Sequence, residues 1–481
     1  MSQGTFNVVQ NYSLSIGSLD AGGAIGRSVY ETATGYNVVG SAVVPGNLGK
    51  PFVTFFDTDG ACVGQEQHYG ASPYDYDHGY SDPVWSEDGL KKVVMTEFES
   101  GNFSYSRQIL VAYNDLGDTA YTHSLIDTGY MGMRQTCILS DGRVAACGFS
   151  DPDSVPARAL LLLADTLGQN VEAITYANTV MALGVRPLMP NGAVLSGFVA
   201  GVSDGLWVMR LDSAGNTLWR RNFGGSQHAY DNVSAIQTQD GGIVATGSFM
   251  PLPGSWNSPQ WNYFRKWDIN GNVQWSKQYN QAQDATTFDI EELPNGDLVA
   301  SGSENTHWGL LIKLEPDGDL SWLRRYTYYT SNGSQHGLYD VEPTSDGGFV
   351  ATGVSRQGVS DSLPGLQMVW LLKVDSAGCL VPGCGNIGVE EVALGLENAL
   401  SVYPNPARDQ AQVMLDLPQD LEVRGALQLV VVDGLGRTVL EVPVGNARTL
   451  QLELAGLAAG VHYVHLRDET RWLSGTKLVV E

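Results

Sequence analysis

The feature that most constrains this 481-residue chain is an internal repeat with a period of about 53 residues. Each unit contains a hairpin signal, in which Asp-Gly or Asn-Gly precedes a short β-branched run and a further glycine. These dipeptides supply the positive φ angles that two-residue hairpin turns require. The signal occurs at 141–148, 191–197, 240–247, 295–302 and 346–353, with degenerate copies at 35–40 and 88–94.

A second motif follows each hairpin: an alternating strand that ends in Asp-x-x-Gly, often with a tryptophan after it. Its glycines are Gly60, Gly117, Gly168, Gly215, Gly271, Gly318 and Gly378. Seven units of four short strands predict an all-β, seven-bladed β-propeller. We interpret Trp219, which follows one copy of this motif, as a residue packed between blades.

The strands of one unit can be placed individually. In the fifth blade they are expected at about 232–238, 243–248, 263–268 and 273–279. The last unit ends at Gly378 without a fourth strand, whereas residues 6–12 resemble an orphan one. We therefore predict that the N-terminal strand completes blade 7 and closes the ring, which protects edges that could template aggregation. An open solenoid is the alternative.

Composition narrows the function. Acidic residues outnumber basic ones 52 to 27, giving a formal net charge of −25. This sign disfavours nucleic-acid binding and anionic membrane surfaces. The longest apolar run, Ala159–Ala164, is too short for a transmembrane segment.

The repeat stops after Gly385, which divides the chain into a propeller at 1–385, a linker at 386–398 and a second module at 399–481. Tyr-Pro-Asn-Pro at its start cannot be a central strand, because proline donates no ladder hydrogen bond. We read this segment as a turn leading into a small β-sandwich of about seven strands. A plain accessory sandwich is the alternative to the interpretation that follows.

The module resembles the type A C-terminal sorting domain of the type IX secretion system of Bacteroidota. The resemblance rests on 401–407, 431–439, 454–464 and 477–481, in that order. Its motif residues are Tyr403, Pro404, Asn405, Pro406, Asp433, Gly436, Gly460 and Lys477. It implies a secreted or cell-surface protein that the outer-membrane secretion machinery handles through this domain, with cleavage in the linker.

Two further features bear on the compartment. The first residues show no signal peptide, which we attribute to prior removal of that segment. Cys379 and Cys384 flank a Pro-Gly turn, and this loop suits a disulfide in an oxidising compartment. Two free thiols are the alternative.

Carboxylates recur at one position of the innermost strands. Asp289 and Glu291 in blade 6 correspond to Asp340 and Glu342 in blade 7, and a two-residue step places each pair on one strand face. Such a cluster at the channel mouth could bind Ca²⁺ through its oxygens. The simpler interpretation is that the acids are solvated in a wet channel.

Histidines and aromatic residues are concentrated in the connections between strands and blades. The ligand-face candidates are His78, Tyr80, Asp82, His228, Trp256, Trp261, His336 and Asp340. We predict a binding protein or adhesin that presents one propeller face to a glycan or protein. The alternatives are aromatic packing between blades, and a secreted hydrolase acting on polysaccharide or protein through Asp289, Asp340 and Glu342. No catalytic residue is assigned, and Gly201–Gly205 does not fit the strand–turn–helix context of a hydrolase serine.

Overall fold

The structure of the chain is a computed structural model. It describes residues 4–10, 23–43, 50–67, 75–77, 84–85, 89–99, 102–114, 119–126, 131–151, 157–199, 205–224, 233–249, 260–280, 284–330, 333–358, 367–380, 399–417, 425–433, 437–445, 447–468 and 472–481. Within these ranges the regular structure is entirely β.

Seven antiparallel sheets form a β-propeller, and their strands are labelled A to D from the channel outward. Blade 1 comprises Gly23–Thr32, Gly35–Val43, Lys50–Asp57 and Cys62–Gln67. Blade 3 comprises Met131–Ile138, Val144–Ser150, Arg158–Ala164 and Glu172–Tyr176. Blade 4 comprises Met181–Pro187, Ala193–Phe198, Leu206–Leu211 and Thr217–Phe223. Blade 5 comprises Val233–Gln237, Ile243–Phe249, Trp261–Trp267 and Val273–Tyr279. Blade 6 comprises Ala285–Glu292, Leu298–Glu304, Trp308–Leu314 and Leu320–Tyr326.

Blade 7 confirms the predicted ring closure. Its strands A to C are Gln335–Pro343, Phe349–Arg356 and Gln367–Val374, and Phe6–Gln10 pairs antiparallel with the last of these as strand D. Trp370 Nε1 donates a 2.6 Å hydrogen bond to Asn7 Oδ1, which fixes the register. The inner strands of blades 7 and 1 are also in contact, so the ring is closed.

Blade 2 departs from the repeat. Two short pieces, Asp75–Asp77 and Val84–Trp85, both pair with Lys91–Glu99 in place of one continuous strand A. Asn102–Tyr113 and Thr119–Ile126 complete the sheet. The predicted candidates at 78–82 fall between the two pieces and lie outside the described residues.

The core of the propeller lies between blades rather than within them. Apolar clusters join blades 2 and 3, 3 and 4, 4 and 5, 5 and 6, 6 and 7, and 7 and 1. Trp219 lies at the interface of blades 4 and 5, where its Nε1 donates a 3.0 Å hydrogen bond to Ile269 O. The predicted packing of this residue between blades is thereby confirmed.

The Asp-x-x-Gly motif is the turn between strands C and D. In a typical copy, Asp268 Oδ1 accepts hydrogen bonds from the amides of Asn270 and Asn272 at 2.9 and 2.8 Å. Gly271 has φ of 81°, and a Cβ there would lie about 3 Å from the Arg221 guanidinium in strand D of the preceding blade. In other blades, too, a strand D side chain of the preceding blade packs against the turn glycine. These pairs are Phe6 with Gly60, His123 with Gly168, Ile174 with Gly215, Trp275 with Gly318 and Trp322 with Gly378.

The C-terminal module is a two-sheet sandwich. One sheet contains Leu400–Tyr403, Gln410–Leu415 and Thr449–Glu453. The other contains Gln428–Asp433, Thr438–Pro443, Gly460–Arg467 and Trp472–Val480. Its core is aliphatic and includes Val413, Leu429, Val431, Leu452, Val464 and Leu478.

Candidate functional site

The channel is narrowed by irregularities in the inner strands. Five strands A contain a β-bulge, and the extra residues are Arg27, Arg134, Leu183, Phe288 and Tyr339. A bulge re-aims a side chain, and four of these residues line a cavity of about 30 Å³ in the channel. Phe288 meets Tyr339 edge-on at 4.8 Å, and the Arg27 guanidinium lies 5.3 Å from the Tyr339 ring centre.

The residue after the bulge joins neighbouring blades. In blade 3, Gln135 Oε1 accepts a 2.9 Å hydrogen bond from the Val185 amide of blade 4. At the same position in blade 7, Asp340 Oδ2 accepts a 2.7 Å hydrogen bond from the Val29 amide of blade 1. Asp340 is 3% exposed. Its carboxylate therefore connects two blades instead of lying on an open ligand face.

Asp289 occupies the equivalent position of blade 6, but its carboxylate pairs with a guanidinium group instead of a backbone amide. Its Oδ1 lies 2.9 Å from the Arg186 guanidinium of blade 4, which also lies 3.3 Å from Glu291 Oε1. Asp289 Oδ2 is buried without a hydrogen-bond partner, and so is Oγ of Ser301, its direct cross-strand neighbour. The adjoining cavity has room for a water molecule that could serve such groups.

Three of the four carboxylates of the predicted calcium site are thus engaged with protein groups. Within the described ranges, no three or more His, Cys, Asp or Glu side chains are grouped to hold a metal ion. Asp289 and Glu291 share Arg186, while Asp340 accepts a backbone amide. Asp289 and Asp340, which make these contacts, are two of the three acids of the hydrolase alternative.

The other ligand-face candidates are placed as follows. Trp261 begins strand C of blade 5 and is partly buried. His336 is the second residue of the inner strand of blade 7 and is 2% exposed, so its ring lies beneath the surface. His78, Tyr80, Asp82, His228 and Trp256 lie outside the described residues.

A turn at the junction of blades 6 and 7 has two consecutive non-glycine residues at positive φ. Asn305 and Thr306 have φ of 52° and 54°, and a β-branched residue at positive φ is a genuine outlier. Two hydrogen bonds hold the turn. The Asn305 amide donates to Asp284 O at 2.6 Å, and the His336 amide donates to Thr306 O at 2.8 Å. Both turn residues are exposed. Strain of this kind is concentrated at functional sites.

Aromatic side chains surround this turn. His307 meets Trp308 edge-on at 4.9 Å, and Tyr328 meets Tyr329 in the same way at 5.0 Å. All four side chains are partly exposed. We call the set comprising Asn305, Thr306, His307, Trp308, Tyr328, Tyr329 and His336 the rim cluster.

His336 supports the rim cluster from below. Its Nδ1 lies 2.7 Å from His307 O, and its Nε2 lies 3.1 Å from the Tyr329 amide nitrogen. These partners assign the proton to Nδ1 and leave Nε2 as an acceptor. Burial lowers the pKa of His336 to about 4, so the ring is neutral at pH 7.

Of the rim cluster, the sequence analysis identified His336 but missed Thr306, His307 and Trp308. The available signal was the segment 304–308, Glu-Asn-Thr-His-Trp, which replaces a longer strand B–C connection with a three-residue turn. This segment contains no glycine, so a positive φ was not expected there.

The sorting-motif residues connect the start of the C-terminal module to its end. Asn405 Nδ2 donates to Lys477 O at 2.7 Å, and its Oδ1 accepts from the Val479 amide at 2.9 Å. The Ala407 amide then donates to Val479 O at 2.9 Å. Pro404 and Pro406 flank Asn405, while Tyr403 is 74% exposed.

The other motif residues form turns. Asp433 accepts hydrogen bonds from the Arg437 amide and guanidinium at 2.9 and 2.8 Å, across a turn that includes Gly436, itself outside the described residues. Gly460 begins a strand at φ of 141°. Cys379 is disulfide-bonded, and its predicted partner Cys384 lies outside the described residues.

These features define an all-β protein with a closed propeller and a C-terminal sandwich. Residues 401–481 match the family described as the secretion system C-terminal sorting domain. The resemblance recognised in the sequence is confirmed, and the chain is a protein secreted through the type IX system to the cell surface or the extracellular space. Among the described residues no helix is long and apolar enough to cross a membrane.

Solved structures that resemble the chain have low sequence identity. A protein of unknown function from Bacteroides caccae is 10% identical with a TM-score of 0.36, covering 63% of this chain and 94% of that one. The extracellular domain of a hybrid two-component system from B. thetaiotaomicron is 11% identical with a TM-score of 0.41, covering 96% and 56%. Puromycin hydrolase is 16% identical with a TM-score of 0.45, covering 70% and 50%. The chain thus spans only about half the length of the last two. No curated protein sequence matches it.

Proposed function

We propose that this secreted protein is a cell-surface binding protein of the adhesin type, and that its propeller binds a glycan at the rim cluster. The observation that supports this most is the strained turn at Asn305 and Thr306, exposed beside partly exposed aromatic rings. Tyrosine and tryptophan offer an apolar ring face with a polar edge. Sugars have the same combination of apolar faces and hydroxyl groups.

The architecture favours a surface site over a deep one. In the described part of the channel, the bulge residues Arg27, Leu183, Phe288 and Tyr339 line a small cavity and narrow the passage. The rim cluster, in contrast, combines exposed polar groups with the four partly exposed rings of His307, Trp308, Tyr328 and Tyr329. Its backbone is held in place by the bonds to Asp284 and His336 before any ligand arrives, which limits the entropy cost of binding.

A glycan array with the full chain tests this proposal. Trp308→Ala and Tyr328→Ala should each weaken binding at least about tenfold, equivalent to about 1.4 kcal/mol. Leu218→Ala is the control, because Leu218 is 52% exposed on the outer strand of blade 4, away from the rim cluster. Unchanged affinity in both aromatic variants would contradict the site. Absence of any bound glycan would contradict the ligand class and direct the search to a protein ligand.

A further inference from the structure

The turns between strands C and D provide an internal comparison. In blades 1, 3, 4, 5 and 6 the second and fourth residues after the leading acid are exposed. In blade 7 the corresponding residues are Ala377, which is partly buried, and Cys379, which is 0% exposed. The local hydrogen bonds are the same, because Asp375 Oδ1 accepts from the Ala377 and Cys379 amides at 2.9 and 2.8 Å. Something outside the repeat therefore covers this one turn.

The cover is the C-terminal sandwich. Val430 and Val432 are 2% and 3% exposed and form a cluster with Cys379, to which Ala377 and Tyr463 add contacts. Side chains alternate along a strand, and the intervening Leu429 and Val431 belong to the sandwich core. The strand Gln428–Asp433 is therefore buried on both faces, once by its own domain and once by the propeller.

The pKa of the leading acid also differs between these turns, in the direction expected from its burial in blade 7. In blades 4 and 5 hydrogen bonds from Asn216 and Asn272 lower the pKa of Asp212 and Asp268. In blade 7 burial raises the pKa of Asp375 despite the two amide bonds it accepts. Burial thus outweighs the local hydrogen bonds at the blade 7 turn, in contrast to the turns of blades 4 and 5.

We propose that the outer face of the four-stranded sheet, centred on Val430, Val432 and Tyr463, is a docking surface for the last blade of the same chain. The sorting domain is then held in one position rather than tethered freely. The three-stranded sheet faces away, with Tyr403 and Met414 74% and 51% exposed. That sheet is the face left for the secretion machinery. This inference is independent of glycan binding.

Amide hydrogen exchange of the full chain tests the docking. The peptide containing 375–380 should exchange at least tenfold more slowly than the matched turn at 268–272. Val432→Asp, on the sandwich side, should remove this protection. Met414→Asp places the same charge on the other sheet and should leave the protection intact.

A second variant separates undocking from unfolding. Ala377→Arg lies on the propeller and should expose the turn while the strand Gly460–Arg467 keeps its protection. Equal exchange of the two turns in the unmodified chain, or continued protection in both Val432→Asp and Ala377→Arg, would overturn the proposal.

Discussion

The propeller and the sorting domain both fasten the start of their sequence to the end, but they do so at different scales. The propeller uses a whole strand, Phe6–Gln10, which adds a ladder, the Trp370–Asn7 hydrogen bond and an aromatic contact of Phe6 with Tyr36 at 5.6 Å. The sorting domain uses only short contacts with its last strand, namely the Asn405 side chain and a backbone bridge at Ala407. A propeller keeps its edges short and protected only when its last blade is complete, whereas a sandwich tolerates edges and needs only to hold its terminus in register.

The first way to test this difference is to remove the propeller's closing strand. Deleting residues 1–10 leaves blade 7 with three strands and takes the Phe6 ring from Tyr36 and Gly60. We expect a loss of about 4 kcal/mol or more in unfolding free energy, the range for removing an aromatic anchor, together with aggregation. Urea denaturation measures it, with deletion of residues 1–4 as the control. A midpoint unchanged by the longer deletion would show that the closure contributes little.

The second test uses pH and acts on the propeller through His336. Its pKa is about 4 in the folded chain, against about 6.5 when unfolded, so the unfolded state binds the extra proton. The associated stability is complete above pH 6.5 and is lost as the pH falls from 6.5 to 4, by about 3 kcal/mol in total.

Denaturation at a series of pH values should therefore show a steep fall in that interval for the unmodified chain. His336→Gln cannot titrate, so its stability should depend less on pH there by the same amount. Parallel pH profiles for the two proteins would be inconsistent with a neutral buried His336.

The smallest effect is expected at the sorting domain's fastening. Asn405→Ala removes two hydrogen bonds at an exposed position, where water replaces them in part, so we expect a loss of about 1 kcal/mol. Asn405→Asp retains the acceptor for the Val479 amide and should lose less. Exchange of the Trp472–Val480 amides measures the change, and equal exchange in all three proteins would assign Asn405 no role in stability.

The strand limits and the ring closure could be predicted because they depend on short-range sequence signals. The four strands of blade 5 fall within about two residues of their expected limits, because glycine turns and alternation are short-range signals. Ring closure was predictable because one unit lacked a strand and residues 6–12 resembled one. Blade 2 was not, since nothing local indicated that its inner strand is divided.

The candidate site was less predictable, for physical reasons. The alignment of Asp289 with Asp340 was correct, but Arg186, the partner of Asp289, is 103 residues away in sequence. A β-bulge moves each channel residue by one position, which no periodicity records. In the turn at Thr306, the Thr306 carbonyl accepts a hydrogen bond from the His336 amide of blade 7, a contact between blades that no local pattern indicates.

The closing strand also sets a time order. Asn7 and Trp370 are 363 residues apart, so the strand Phe6–Gln10 must wait for nearly the last segment of the ring. At synthesis rates of 5–20 residues per second this wait is roughly 20–70 s. Throughout it, the apolar residues of Phe6–Gln10 have no ladder to join. We expect this short segment to be a binding site for chaperones during biosynthesis. This property follows from the order in which the strands are synthesised and not from the contacts of the folded protein.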